Sequence, residues 1–289
     1  MNLLARVWRS SVGKKFVMAS TGGALFVFVI GHLLGNLQLF LGPETLNRYG
    51  HFLKSNKEIL WLVRLALLAC VVLHILAAAR LAAENKAARP VGYAGDPIPI
   101  SASYASRTML MSGVIVAAFI VYHLLHYTVL VTGMNFSGQD FGGFHDEKGR
   151  HDVYRMMIIG FQQPIVAIVY ILAMALLCLH LSHGVQAMFQ SLGVRTGCCP
   201  GLPRRAARWG AVVIFAGYVS IPLAVLSGFG RGYVAPPSTA PAAEAKEKPP
   251  RKASHRVSLN QDGAPSSCSA RSFIWAAPSR SSALRSIGK

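Results

Sequence analysis

The sequence predicts an all-α membrane protein, a bundle of five transmembrane helices followed by a disordered C-terminal tail. Of the 289 residues, 53% are hydrophobic and only 14% are charged. The mean hydropathy is +0.41, and such a composition is typical of membrane proteins. Five apolar segments are each long enough to cross a bilayer, which takes about 20 helical residues.

The five apolar segments cover residues 16–41, 59–83, 109–131, 158–189 and 209–229. The first is long and is not followed by a small-residue cleavage site, which indicates a retained helix rather than a signal peptide. Pro164 and Pro222 fall inside the fourth and fifth segments. Proline is tolerated in membrane helices because neighbouring groups satisfy the freed backbone atoms. The segments define a membrane domain over residues 1–230.

Residues 231–289 form the predicted tail. They are rich in Pro, Ala, Ser, Lys and Arg, as in "APPSTAPAAEAKEKPPRKAS". Such a composition does not bury enough apolar surface to fold by itself, so we expect disorder.

The net charge of +18 does not indicate nucleic-acid binding, because the basic residues lie in the tail and at helix ends. Basic residues dominate the N-terminus and every second loop, and they are Arg6, Arg9, Lys14, Lys15, Arg80, Lys86, Arg89, Arg107, Arg195, Arg204, Arg205 and Arg208. The opposite loops, residues 42–58 and 133–157, hold acids and bases in equal number. The positive-inside rule therefore predicts a cytoplasmic N-terminus.

Four histidines stand in the middle of apolar runs, one in each of the first four segments. They are His32 in "FVFVIGHLLGNL", His74 in "ALLACVVLHILAAARL", His123 in "VIVAAFIVYHLLHY" and His180 in "YILAMALLCLHLSHGVQAMF". Ionisable residues inside a membrane are costly and default to a functional interpretation. Four of them, one per helix, suggest a cofactor.

The predicted topology sorts these histidines by depth. His32 and His123 each lie sixteen residues into helices that rise from the cytoplasmic side, which puts them roughly 24 Å up, in the outer half of the bilayer. His74 and His180 lie on helices that run the other way and fall in the inner half. We call His32 and His123 the distal pair and His74 and His180 the proximal pair.

Two imidazoles at each level suit haem b, because the porphyrin supplies the equatorial ligands of a bis-histidine iron. A zinc or copper site needs more ligands at one depth, although imidazole binds those metals too. The absence of C-x-x-C-H excludes covalently attached haem. Spacing alone predicts two haems and leaves one haem, or none, as alternatives.

Three further residues are secondary candidates. His126 and His183 each follow a predicted ligand by three residues, nearly on the same helix face. Either is an alternative ligand, and a contact to a haem propionate, a quinone or water is the other interpretation. Arg64 lies at propionate depth, where snorkelling to the interface explains it equally well.

The sequence resembles the haem-b membrane anchor of type-B succinate:quinone oxidoreductases, the succinate dehydrogenases and quinol:fumarate reductases. The resemblance covers about residues 8–230 and rests on "SSVGKKFVMASTGGALFVFVIGHLLGNLQLFLGPETLNRYGHFL", "LHILAAARLAAENK", "YHLLHY" and "CLHLSHGVQAMFQSLG". It assigns the axial ligands to His32, His74, His123 and His180. The spacings from Gly113 to His123 and from His180 to Gly193 match the family better than those of His126 and His183.

The resemblance implies a complex in the bacterial cytoplasmic membrane. A flavoprotein subunit with FAD and an iron–sulfur subunit would carry the succinate chemistry, because this chain has no dinucleotide fingerprint and no cysteine cluster. Electrons would pass between the clusters, two haem b groups and a membrane quinone, either menaquinone or ubiquinone. The resemblance assigns no catalytic residue to this chain, and no counterpart of the family's quinone-site acid is evident.

Two alternatives remain at the level of the sequence. The cytochrome b subunit of a formate dehydrogenase or hydrogenase predicts a different ligand order and no "HLSHGVQAMFQSLG" motif. A haem-free transporter or structural membrane protein predicts no visible absorption from the purified protein.

Overall fold

The computed structural model describes residues 3–88, 104–193 and 202–234. These residues are mostly helical and contain no β-strand, only an isolated bridge between His145 and His151. Five of the helices are long and apolar enough to cross a membrane, as the sequence predicts. Nearly all of the predicted tail lies outside the described residues.

The described part of the chain contains ten α-helices in the following order. They are α1 (Leu3–Arg9), α2 (Ser11–Leu37), α3 (Pro43–Ser55), α4 (Lys57–Ala87), α5 (Tyr104–Arg107), α6 (Met109–Leu124), α7 (Val153–Gln162), α8 (Pro164–Ser191), α9 (Leu202–Leu226) and α10 (Arg231–Val234). The five candidate spans lie in α2, α4, α6, α8 and α9, with α2 and α6 each extended by a short helical turn.

The fourth span differs from the sequence prediction at its start. Residues 158–162 belong to α7, and the spanning helix α8 begins at Pro164. Proline is favourable at the first helical position, where its missing N–H would have had no partner. The helical conformation is interrupted at Gln163, which is extended with φ −79° and ψ 112°. The interruption is expected because a residue before proline disfavours the helical conformation. His180 therefore lies sixteen residues into α8, close to the seventeen of His74 in α4.

Two segments predicted to be polar loops contain helices. Residues 43–55 form α3 after Gly42, with Pro43 at its first position, and residues 153–162 form α7 behind Asp152. The Asp152 carboxylate caps α7 by accepting a hydrogen bond from the Arg155 backbone N–H at 2.9 Å. Both helices are amphipathic, so hydropathy averaged along the chain does not reveal them.

Helix α8 is central to the bundle, because α2, α6, α7 and α9 all pack against it, while α4 packs mainly on α2. Leu33, Cys178 and Ile214 meet in a buried cluster between α2, α8 and α9. A polar contact strengthens this contact region: the Tyr218 hydroxyl in α9 donates to the Val29 carbonyl in α2 at 2.7 Å. Lipid is as apolar as the helix side chains, so the hydrophobic effect does not drive membrane helices together. Close packing and interhelical hydrogen bonds of this kind hold them in position.

The other faces of the spanning helices carry exposed apolar side chains. On α4 these include Trp61, Leu62, Leu65 and Leu68, each more than half exposed. An exposed apolar surface of this extent is what lipid contact requires, and it agrees with the transmembrane prediction.

Short helices close the end of the bundle that carries α3, which we call the α3 end. Buried Asn47 joins α3 to α7, because its amide donates to Asp152 at 2.9 Å and its carbonyl accepts from the Tyr154 N–H at 2.9 Å. Tyr233 in α10 donates to the second Asp152 oxygen at 3.0 Å. The first residues of the predicted tail, 231–234, are thus helical and are hydrogen-bonded to the membrane domain.

An ion-pair network lies at the surface of the α3 end. Glu44 pairs with Arg150 at 2.7 Å and with Lys148 at 3.0 Å, and Arg150 also pairs with Asp146 at 2.7 Å. Hydrogen bonds from Arg150 and Lys148 lower the pKa of Glu44 to about 2. The network joins the start of α3 to the loop before α7.

These ion pairs predict a dependence of stability on pH. A carboxyl whose pKa is lowered on folding stabilises the fold above its unfolded pKa, here 4.5, and the contribution is lost as the pH falls through about 2. We expect Glu44→Gln to melt below the wild type at neutral pH and to melt like it near pH 2. Melting curves of the detergent-solubilised proteins test this, and a difference that does not change with pH would contradict it.

Candidate functional site

The four histidines of the apolar helices form two close pairs. The ring centroids of His32 and His123 are 5.7 Å apart, with an angle of 85° between the ring planes. Those of His74 and His180 are 6.4 Å apart, at 65°. These are the same combinations as the distal and proximal pairs defined from depth.

Each pair bridges two helices that pack little against one another. The distal pair joins α2 to α6, and the proximal pair joins α4 to α8. In the described chain α2 packs on α4 and α8, and α6 packs on α8, whereas α2–α6 and α4–α8 are not among the extensive helix contacts. The two imidazoles of a pair therefore approach each other across a separation between helices.

Helix α2 determines the tautomer of His74. The Nδ1 atom of His74 lies 3.1 Å from the Met18 carbonyl oxygen and 3.4 Å from the Thr21 hydroxyl. A carbonyl oxygen accepts only, and the Thr21 hydroxyl already donates its proton to the Val17 carbonyl at 2.7 Å. Nδ1 must therefore carry the proton, which leaves Nε2 with a free lone pair.

His180 is oriented in the same way by α6. Its Nδ1 atom lies 3.3 Å from the Ser112 hydroxyl, and that hydroxyl donates its proton to the Met109 carbonyl at 3.1 Å. Nδ1 of His180 is therefore the donor, and its Nε2 is also unprotonated. A hydrogen bond from Nδ1–H to a carbonyl or hydroxyl is the usual arrangement of a histidine that binds a metal through Nε2.

Glycines let both proximal imidazoles lie against backbone. A Cβ atom on Gly22 would come within 3.0 Å of His74 Cε1, and one on Gly113 would come within 3.4 Å of His180 Cε1. By contrast, a Cβ on Gly31 would meet nothing within 4 Å. Gly22 and Gly113 therefore each face a histidine ring, whereas Gly31 does not.

The distal pair has a different set of partners. His123 Nδ1 lies 3.2 Å from the Tyr170 hydroxyl, and His126 Nδ1 lies 3.1 Å from the same hydroxyl. The ring of His32 stacks on Phe28 at 5.3 Å and lies 6.4 Å from the ring of Tyr218. Aromatic rings surround this pair where hydroxyl and carbonyl groups surround the proximal one.

The structure separates the secondary candidates from the two pairs. His126 is fully buried in a π-helical turn over residues 125–129, and its ring stacks on Tyr127 at 3.9 Å. Its Nε2 has no hydrogen-bond partner among the described residues. His183 is half-buried and makes no ring contact with another histidine in the described chain. Arg64 is exposed, with its guanidinium 5.3 Å from the centre of the Trp61 ring.

Sequence reasoning missed the residues that orient the histidines. Tyr170, Thr21 and Ser112 come from helices other than those of their imidazole partners, so no spacing rule connects them. Their only signal in the sequence is polarity within an apolar helix. The π-helical turn was also not predicted, although such turns often occur at functional sites.

The geometry of both pairs suits a metal held between two imidazoles. Metal–imidazole bonds are about 2 Å long, so two imidazoles on opposite sides of one metal place their ring centres about 6 Å apart. No group of three or more His, Cys, Asp or Glu residues that could hold a metal ion occurs in the described part of the chain. Two nitrogens per site are the donor set of a bis-histidine haem, in which the macrocycle supplies four ligands.

No family model, curated protein or solved structure matches the chain. The resemblance stated from the motifs therefore stays a prediction, and the function rests on the geometry of the site.

Gly22 and Gly31 offer a matched test of the proximal site within one helix. We expect Gly22→Ala to crowd the His74 ring and to reduce the haem bound per polypeptide, because the new methyl group contacts Cε1 at 3.0 Å. Gly31→Ala adds the same methyl group in open space and should keep the wild-type value. Haem extraction and quantitation measure the effect, and equal haem content in the two variants would contradict it.

Proposed function

We propose that this chain is the dihaem cytochrome b membrane anchor of a succinate dehydrogenase or fumarate reductase complex, passing electrons between an iron–sulfur subunit and a membrane quinone. One observation carries the proposal: two pairs of imidazoles, each from two different helices, have ring centres 5.7 and 6.4 Å apart inside an apolar bundle. The bare Nε2 atoms of the proximal pair support it.

In this proposal His32 and His123 hold the distal haem, and His74 and His180 hold the proximal haem. Haem, when bound, supplies a one-electron iron couple. The chain itself orients the four imidazoles and keeps a proton on Nδ1 of His74 and His180. Its apolar helices exclude water, and exclusion of water raises the strength of the electrostatic interactions inside the bundle.

The pairing supports His123 and His180 over their neighbours as ligands. His32 pairs with His123, and His74 pairs with His180, while the ring of His126 stacks on Tyr127. Arg64 stacks on Trp61, which supports an interfacial role over a propionate contact.

A basic surface at the end opposite α3 suits the proposed iron–sulfur subunit. Lys15, Arg204, Arg205 and Arg208 are exposed there. Lys14 does not contribute, because it is 3% exposed and forms a salt bridge with Glu84 at 2.8 Å. Under the positive-inside rule this end would face the cytoplasm, where the flavoprotein subunit with FAD would join the complex.

Substitution of the ligands tests the proposal. The purified protein should show haem b in a reduced-minus-oxidised spectrum at two haems per chain. His74→Ala and His180→Ala should each remove the proximal haem and lower the yield to about half, because one imidazole does not hold a bis-histidine haem. His32→Ala should affect the distal haem alone. His183→Ala serves as the matched control and should retain both haems.

The absence of haem from the wild type, or a yield unaffected by His74→Ala and His180→Ala, would contradict the proposal and favour a haem-free transporter.

Copurification tests the family assignment separately from haem binding. We expect a tagged chain solubilised in mild detergent to bring down a flavoprotein with FAD and an iron–sulfur protein, and the preparation to reduce quinone with succinate. A dihaem protein with molybdenum- or nickel-containing partners instead would move the assignment to a formate dehydrogenase or a hydrogenase.

A further inference from the structure

The hydroxyl of Tyr170 in α8 contacts two imidazoles, that of His123 in the distal pair and that of its neighbour His126. Its Oη lies 3.2 Å from His123 Nδ1 and 3.1 Å from His126 Nδ1. The residue is 8% exposed, and the rings of Phe119 and Phe161 pack edge-on against it at 5.0 and 5.1 Å. These contacts fix the ring inside the bundle.

The number of protons limits the directions of the two hydrogen bonds at Tyr170 to two alternatives. A phenol donates one hydrogen bond and accepts others. Both imidazoles cannot accept from a single phenol proton, and if both donated, that proton would have no acceptor among the described residues. One imidazole therefore donates from Nδ1, and the other accepts there. Geometry alone leaves open which of the two is the donor.

The proposed function decides which of the two imidazoles donates to Tyr170. A neutral histidine that binds iron through Nε2 carries its proton on Nδ1. With His123 as the ligand, its Nδ1–H donates to Tyr170 Oη, and the Tyr170 hydroxyl has its own proton to give to His126 Nδ1. His126 then carries its proton on Nε2, the atom that has no partner among the described residues.

We propose that Tyr170 is a positioning residue of the distal haem: it accepts the Nδ1–H of His123 and donates to His126, which holds His123 in the tautomer and orientation that direct Nε2 to the iron. This inference rests on the proposed function and extends it to Tyr170 and His126, which continue the hydrogen-bond chain that begins at His123.

The two sites differ in how their ligands are anchored. The proximal histidines donate to hydroxyls whose own protons are given to helix carbonyls, and His74 donates also to a carbonyl. The Thr21 and Ser112 hydroxyls are thus each fixed by a carbonyl of their own helix. The Tyr170 hydroxyl contacts two imidazoles instead, and replacing Tyr170 with phenylalanine removes it while the ring stays in place.

The experiment is a redox titration of the two haems in the intact complex, with the low-spin ferric electron paramagnetic resonance signal recorded for each. A hydrogen bond from Nδ1–H makes the ligand more basic and stabilises ferric iron. Tyr170→Phe should therefore shift the distal couple about tenfold towards the reduced form, about 59 mV for one electron, and change the distal signal. The proximal haem should keep its wild-type potential.

Two further variants make the test specific. His126→Leu removes the acceptor of the Tyr170 proton and should shift the distal potential in the same direction by less, since hydrogen bonds in a chain strengthen one another. Tyr122→Phe is the matched control. Its ring lies 5.9 Å from that of Tyr170, but its hydroxyl donates to the Met134 carbonyl at 3.2 Å, so both potentials should stay unchanged.

The outcomes separate this inference from the function on which it rests. A Tyr170→Phe complex that loses the distal haem and keeps the proximal one supports the positioning role as well. Two bound haems with an unchanged distal potential in Tyr170→Phe, or an equal shift of both potentials, would overturn the role of Tyr170 and leave the dihaem function intact. A wild-type chain without haem would overturn both.

Discussion

The proximal site depends on one constraint: the imidazole nitrogens of His74 and His180 lie inside an apolar helix bundle, where a polar group favours a partner. An unpaired buried polar group is costly, and in the membrane no water replaces the missing bond. His74 and His180 meet the constraint through the neighbouring helix, which accepts the proton on Nδ1 with a carbonyl or hydroxyl oxygen. The second nitrogen makes no hydrogen bond within the described part of the chain, and a metal is a partner that a bare imidazole nitrogen suits.

Helix α8 brings the two sites into one framework. It carries His180 of the proximal pair, and it also carries Tyr170, which contacts His123 of the distal pair. Because α2, α6 and α9 pack against the same helix, a shift of α8 would disturb both pairs at once. The short helices α3, α7 and α10 close the α3 end around Asn47 and Asp152, and this end is where α8 begins.

The motifs and the geometry support the same function by different routes. The motifs resemble a family of dihaem anchors and imply FAD and iron–sulfur clusters on partner subunits, whereas the geometry concerns this chain alone. The geometry favours a group held by two imidazoles at each of two levels. Haem content and copurification are therefore independent measurements, and each addresses one of the two routes.

The sequence by itself determined the five spanning helices and the four histidines, because hydropathy over about 20 residues and a polar residue within it are local properties. It also led to the two combinations of histidines, since depth follows from residue count along a helix. The sequence prediction of where α8 begins was wrong, because the last residues of α7 are apolar and adjoin the apolar run of α8. Only the tertiary structure decided that Thr21, Ser112 and Tyr170 orient the imidazoles. Those contacts join residues 44 to 68 positions apart, and no local pattern records which faces of two helices meet.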